Sequence, residues 1–350
     1  MFEFISKKSS PPIEEVVEEV EVTAEDKERM LIEAFGNIVG EGCMADMPRT
    51  EQHPNWQRYS YLLSNYDKAK NEAGIIIGVY GSPKAGKSTL LNSLLGEEVL
   101  PATPIPTTGS IIDLKREAGR ANYELLCHSD RDTRIVRKNR GSDVREYLDK
   151  FGTQNRPFDR IEIRGPFPNA LPFMTPNFTL RDTPGFETES IDELLENDSE
   201  KAMKAIADTD LCIFCVRGDA IGQERDVQIF EKFFRNRFCV HVLTHMEGLS
   251  GAEKLESLND FYEKFQIVPD DVDPKILAYT GIDYSDETDT ALINVGREEL
   301  IEALNCYLKP ELIVERIKLI SKYITEHPDL IGWPVPQLFL KTLDGLVNSY

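Results

Sequence analysis

The stretch "GIIIGVYGSPKAGKSTLLNSLLG", residues 74–96, constrains what this chain can fold into more than any other segment. An apolar, β-branched run breaks at Gly81 into a tight turn, and Lys87 then opens a helical pattern carrying Leu90, Leu91, Leu94 and Leu95. Strand, turn and helix in that order bring the C-terminal end of a strand against the first amides of a helix, where they favour an anion. The spacing G-x-x-x-x-G-K-[ST] over residues 81–88 adds a lysine and a hydroxyl to that amide cradle. Gly81, Ser82, Pro83, Lys84, Ala85 and Gly86 supply the wrapping backbone, followed by Lys87, Ser88 and Thr89. Lys87 is expected to neutralise the β- and γ-phosphates of a nucleotide, and the Ser88 hydroxyl to ligate Mg²⁺.

From Ile75 onward the pattern repeats strand, turn, helix. Short apolar strands are expected at 75–80, 110–114, 161–164, 177–181, 210–216, 238–244 and 275–279, with helices at 87–95, 198–207, 222–234, 252–264 and 297–308. That alternation predicts an α/β fold with a largely parallel central sheet, the three-layer architecture of P-loop nucleotide hydrolases. Four stretches are expected: an acidic tail over 1–22, N-terminal helices over 23–73, the nucleotide-binding domain over 74–309, and C-terminal helices over 310–350. In the tail "IEEVVEEVEV" repels itself and has little to bury. Thr23 caps a helix with Met30, Leu31, Ala34, Phe35 and Ile38 on one face, and a second helix presents Trp56, Tyr59, Leu62, Leu63 and Tyr66. After Pro310, Leu312, Ile313, Ile317, Ile320 and Ile324 share a face, and a short helix follows Trp333.

Three further segments complete the site. "NFTLRDTPGFE" delivers Asp182 at a strand end, where a carboxylate can hold Mg²⁺, and places the Gly185 amide to sense a γ-phosphate. In "LPATPIPTTGSIID", Thr108 is the candidate to close the Mg²⁺ shell and cover the γ-phosphate, with Thr107 adjacent. "RFCVHVLTHMEGLSG" ends a strand at Thr244-His245-Met246-Glu247, where guanine-specific proteins present [NT]-K-x-D. His245 stands for the lysine and Glu247 for the aspartate, keeping an acceptor for the guanine ring at one methylene more reach. Thr280 and Gly281 in "ILAYTGID" supply the last base-side loop. The substrate expected from this set is GTP, with Mg²⁺ as cofactor.

Charge and cysteine usage narrow the rest. A formal net charge of −21 opposes unaided binding to nucleic acid or an anionic bilayer. Six cysteines without framework-like clustering fit a reducing compartment, and no apolar run reaches the roughly 20 residues that span a bilayer, so the cytoplasm is the expected location. Cys212 and Cys215 lie three apart in the strand "DLCIFCV" and face opposite ways, which disfavours a shared metal. Cys127-His128, His241 and "KTLD" at 341–344 carry no complete ligand or base-binding set.

Taken together, "GSPKAGKSTLLNSLLG", "LPATPIPTTG", "RIEIRGPFP", "LRDTPGF" and "AIADTDLCIFCVRGD" resemble the dynamin superfamily in its bacterial branch, over roughly 75–308. Lys87 and Asp182 stand about twice as far apart as in small Ras-like or Era-like GTPases. The added length at 115–176 falls where a dynamin G domain is enlarged, by strands and a helix. The phosphate loop also resembles that of Era- and TrmE-like GTPases, for which an appended basic RNA-binding domain would be expected. The resemblance implies GTP hydrolysis, activated by a G-domain homodimer or by a heterodimer with another dynamin-like chain. It also implies a membrane association that is peripheral, at an inner membrane face, and reached through that partner. Two departures stand out: the altered base loop, and too few residues after Pro310 for long stalk helices, leaving a short neck-like bundle as the expectation. Phe186 occupies the place where Ras-like enzymes orient water with Gln. Related enzymes carry Ser or Asn at the fourth loop position, holding a monovalent cation; here Lys84 brings its own ammonium, unless it merely points to solvent. An alternative reading is an interaction module that binds nucleotide with little hydrolysis.

Overall fold

The computed structural model describes residues 23–42, 54–101, 110–129, 132–152, 158–168, 178–183, 205–235, 237, 239–246, 249–265, 297–328 and 337–349. Near-continuous buried runs in some strands and apolar–polar alternation in others build an eight-stranded sheet. Its strands are β1 (Ile75–Gly81), β2 (Ile111–Arg116), β3 (Tyr123–His128), β4 (Thr133–Lys138), β5 (Arg160–Gly165), β6 (Phe178–Asp182), β7 (Leu211–Arg217) and β8 (Cys239–Thr244). Their order is β4-β3-β5-β2-β6-β1-β7-β8. The pairs β1–β6, β1–β7, β7–β8 and β2–β5 are parallel, while β2–β6, β3–β5 and β3–β4 are antiparallel. This is a mixed, mostly parallel α/β sheet, of the kind expected from the sequence for a P-loop nucleotide-binding fold. The expected enlargement is present as β3, β4, β5 and the helix α4 (Gly141–Gly152), which extend the sheet beyond β2.

Side-chain alternation along the strands sorts the core into two faces. Ile75, Ile77 and Val79 of β1, Leu211, Ile213 and Cys215 of β7, and Val240 and Val242 of β8 pack on one side with α3 (Lys87–Leu95). Tyr80, Cys212, Phe214, Val216 and Leu243 point to the other, against α5 (Glu224–Phe233) and α6 (Gly251–Lys264). Cys212 and Cys215 therefore face opposite ways, as their spacing requires. On the second face Phe214, Phe230, Phe261 and Phe265 surround buried His241 with ring centroids 4.5–6.3 Å apart.

The first face continues into a helical bundle. It contains α1 (Ala24–Gly42), α2 (Pro54–Lys70), α7 (Arg297–Leu308), α8 (Pro310–Glu326) and α9 (Gln337–Asn348). α1 packs on α2, α8 and α9, and α8 packs on α2, α7 and α9. Leu31, Phe35, Ile38, Leu62, Leu304, Ile313, Ile317, Ile320, Ile324 and Leu343 are buried there. Met30, expected on the buried stripe of α1, is 44% exposed, while Leu31, Ala34, Phe35 and Ile38 are buried. The Trp56 side chain lies outside the described residues. Residues 297–308, grouped by sequence with the nucleotide-binding domain, pack on α2 and α8.

Local chemistry sets several helix ends. The Asp26 amide donates to Thr23 Oγ1 at 3.1 Å, Ser250 and Glu253 form a capping box, and Pro310 occupies the first turn of α8. Polar links join bundle and sheet: Lys68 pairs with Asp210, whose Oδ2 accepts from the Ile76 amide at 2.9 Å. The Arg237 guanidinium lies 4.9 Å from the Tyr61 ring while donating to the Ile206 carbonyl at 2.6 Å. The expected strand at 275–279 and the first part of the helix at 198–207 lie outside the described residues. No described helix is long and apolar enough to cross a membrane.

Candidate nucleotide site

β1 is an interior strand, flanked by β6 and β7, so the loop that leaves it has structure on both sides. Its turn is made by left-handed backbone at three places: Gly81 (φ 146°), Lys84 (φ 62°) and Gly86 (φ 77°). Gly81 also needs its missing side chain, since a Cβ there would lie 2.3 Å from the Cys215 carbonyl oxygen. Gly86 opens α3 as its N-cap and has no side chain with which to cap it.

Lys87 is buried, and its ammonium donates to the carbonyls of Gly81 (3.0 Å) and Ser82 (2.9 Å). Ser88 Oγ donates to Asp182 Oδ2 at 3.0 Å, across the gap between α3 and the end of β6. Asp182 is only 1% exposed, and its Oδ1 has no hydrogen-bond partner among the described residues. Burial pushes its carboxyl up to about 6, against the charge of Lys87 and the hydrogen bond from Ser88. A hydroxyl and a half-satisfied carboxylate, meeting beside a lysine, make a set of hard oxygen donors that fits Mg²⁺.

The side expected from the sequence to face the base is built from the end of β8. Thr244 Oγ1 donates to the Ala85 carbonyl at 3.0 Å, and a Cβ on Gly86 would touch Thr244. His245, at φ 57°, places Nε2 3.1 Å from the Lys84 carbonyl oxygen. The unusual histidine of the base loop thus sits on the unusual lysine of the phosphate loop, backbone to ring. The Lys84 side chain itself is exposed.

The structure therefore gathers Gly81 through Thr89, Asp182, Thr244 and His245 around one point. Thr108, Gly185, Phe186, Glu247 and Thr280 lie outside the described residues. Two neighbours were not anticipated. Thr183 Oγ1 donates to the Val79 carbonyl at 2.6 Å, pinning the strand end that carries Asp182. Asp226, buried in the first turn of α5, accepts a hydrogen bond from Ser82. Its signal was present in the sequence, since Asp226 shares a helical face with Ile229 and Phe230. Cys127, His128 and His241 join no group that could hold a metal among the described residues.

Residues 77–237, spanning the cradle, Ser88 and Asp182, match the model of the Dynamin family. The matched residues make up a little under half of the chain. Curated relatives include the GTPase Der of Thioalkalivibrio sulfidiphilus (strain HL-EbGR7), 44% identical over 95 residues, or 26% of this chain and 19% of that protein. The GTPase Der of Trichodesmium erythraeum (strain IMS101) is 30% identical over 164 residues, covering 46% of this chain and 31% of that protein. The chain thus spans less than a third of the length of these relatives. Among solved structures, an oligomerised bacterial dynamin pair, described as a mechanism for long range sensing and tethering of membranes, is similar. It has a TM-score of 0.49 and 17% identity, over 87% of this chain and 44% of that one. Era from Aquifex aeolicus, bound to GDP and AlF4⁻, is similar with a TM-score of 0.38 and 18% identity, over 67% of this chain and 56% of that one. The matched segment holds Gly81 through Thr89 and Asp182, while Thr244 and His245 lie beyond it.

Proposed function

We propose that this chain is a dynamin-like GTPase that binds GTP with Mg²⁺ and hydrolyses it to GDP and phosphate. The observation that carries the reading is the meeting of Ser88 and Asp182 beside Lys87, inside a loop whose backbone is left-handed at three positions. Ser88 and Asp182 would hold Mg²⁺, with Thr108 completing the set; the ion supplies electrostatic stabilisation of the phosphate oxygens. Lys87 exchanges the carbonyls of Gly81 and Ser82 for the β- and γ-phosphates. Thr244 and His245 fix the base loop against the phosphate loop, Glu247 and Thr280 contact guanine, and the Gly185 amide reads the γ-phosphate.

Phe186 offers no hydrogen bond to an attacking water, so activation is assigned elsewhere. In this reading the exposed ammonium of Lys84 supplies the charge that a bound monovalent cation supplies in related enzymes. It becomes fixed when two G domains meet, as a homodimer or with a second dynamin-like chain. Any membrane association is peripheral and comes through that partner, at an inner membrane face. The acidic charge of the chain argues against nucleic acid as a ligand.

GTP turnover measured across a protein-concentration series tests the proposal, with a specific rate that rises with concentration as the expected result. Equal rates in potassium, sodium and choline buffers support the role of Lys84, and a strong potassium requirement overturns it. Absence of turnover at every concentration, with GTP still bound, points instead to a nucleotide-dependent interaction module.

A further inference from the structure

Behind the phosphate loop lies a carboxylate that the nucleotide reading leaves unused. Asp226 is 4% exposed, and its Oδ1 accepts the Ser82 hydroxyl. Burial raises its pKa, opposed by the Ser82 hydrogen bond and by the charges of Arg225 and Lys87. Among the described residues these are the groups that act on it: Ser82 from the loop, Lys87 from α3 and Arg225 from its own helix. Lys87 is the same ammonium that holds the Gly81 and Ser82 carbonyls. A polyphosphate taken up by the loop engages that ammonium and brings negative charge of its own. Asp226 then loses the cation that favours its ionised form and gains an anionic neighbour, and both changes favour the neutral acid.

We propose that Ser82 and Asp226 form a proton-coupled latch, in which nucleotide triphosphate binding draws one proton from solvent onto Asp226. The neutral carboxyl donates its O–H to Ser82 Oγ, and the Ser82 hydrogen, released from Asp226, turns to a phosphate oxygen. Asp226 is thus a positioning residue, acting on the nucleotide through Ser82. The inference rests on the nucleotide reading above and adds to it a pH dependence of affinity. GTP binding weakens as pH rises, by at most about tenfold per unit for one proton.

Calorimetric titration of the full chain with Mg²⁺ and GTP, in PIPES and in Tris at matched pH between 5.5 and 8, counts the protons taken up. Wild type is expected to take up a fraction of a proton that changes with pH, and Asp226→Asn to bind GTP with that fraction lost. Ser82→Ala lacks both the hydrogen bond that steadies the ionised carboxylate in the free chain and the acceptor of the neutral acid in the bound one, so its uptake is expected to shrink and to span a narrower pH range. Buffer-independent heats in wild type overturn the latch, as does an uptake unchanged in Asp226→Asn. Should Asp226→Asn show no cooperative melt, the pH profiles of wild type and Ser82→Ala decide, and identical profiles overturn the proposal. No heat of GTP binding in wild type at any pH would remove the nucleotide reading itself, an outcome distinct from binding without proton uptake.

Discussion

Lys84 holds a backbone conformation, φ 62°, that costs a side-chain-bearing residue about 1–2 kcal/mol. The Lys84 side chain is exposed and makes no contact among the described residues that repays this. Lys84→Gly is therefore expected to raise the melting temperature while slowing GTP turnover by tenfold or more, and Lys84→Ala to slow turnover with no gain in stability. Paired thermal melts and turnover assays check both, and unchanged turnover would remove Lys84 from catalysis. Lys87→Ala has the opposite profile, since a buried ammonium beside two carbonyls and Asp182 has no substitute: calorimetry should detect no GTP binding. Most of the loop was legible residue by residue, because the glycine spacing and the lysine–serine pair leave few conformations available. Asp226 and Thr183 were not singled out. A first-turn aspartate ordinarily stabilises a helix end from solvent, and only the packing of α5 against the loop turns this one inward.

At the scale of elements, β2 and β6 are joined by more than their ladder. Arg181 Nε and Nη2 donate to the two carboxylate oxygens of Asp113 at 2.7 and 3.2 Å, both residues being buried and directly opposite in register. Arg160 Nη2 adds a second contact to Asp113 at 2.5 Å. Removing one member strands the other charge in the core. Asp113→Ala should cost about 3–5 kcal/mol in urea unfolding, whereas replacing Asp113 and Arg181 together by Leu and Met should recover most of that loss. Equal destabilisation by the single and double variants would contradict this account. The strands themselves were readable from apolar runs and alternation, with ends that shift by a residue or two. Their register was not, because Asp113 reads as an ordinary polar position until the antiparallel pairing with Arg181 is known.

At the scale of the whole molecule, the helical bundle and the sheet share one continuous apolar face, so neither is closed without the other. Truncation at Pro310 would strip Ile313, Ile317, Ile320, Ile324 and Leu343 from this core and expose Leu31, Phe35 and Ile38. The truncated chain is expected to lose its cooperative melt and to bind GTP poorly, even though the cradle residues remain. A sharp thermal transition and intact GTP binding would show that the sheet stands alone. Helical periodicity made these helices legible, but the attachment of α7 to the bundle depends on contacts between distant segments.

β4 is the outermost strand of the described sheet on its side, and Arg134, Ile135 and Arg137 along it are exposed. Cationic side chains along an outer strand repel the same strand on another molecule, which guards against ribbon-like aggregation. Two copies that come together at high concentration are therefore disfavoured from joining their sheets β4 to β4.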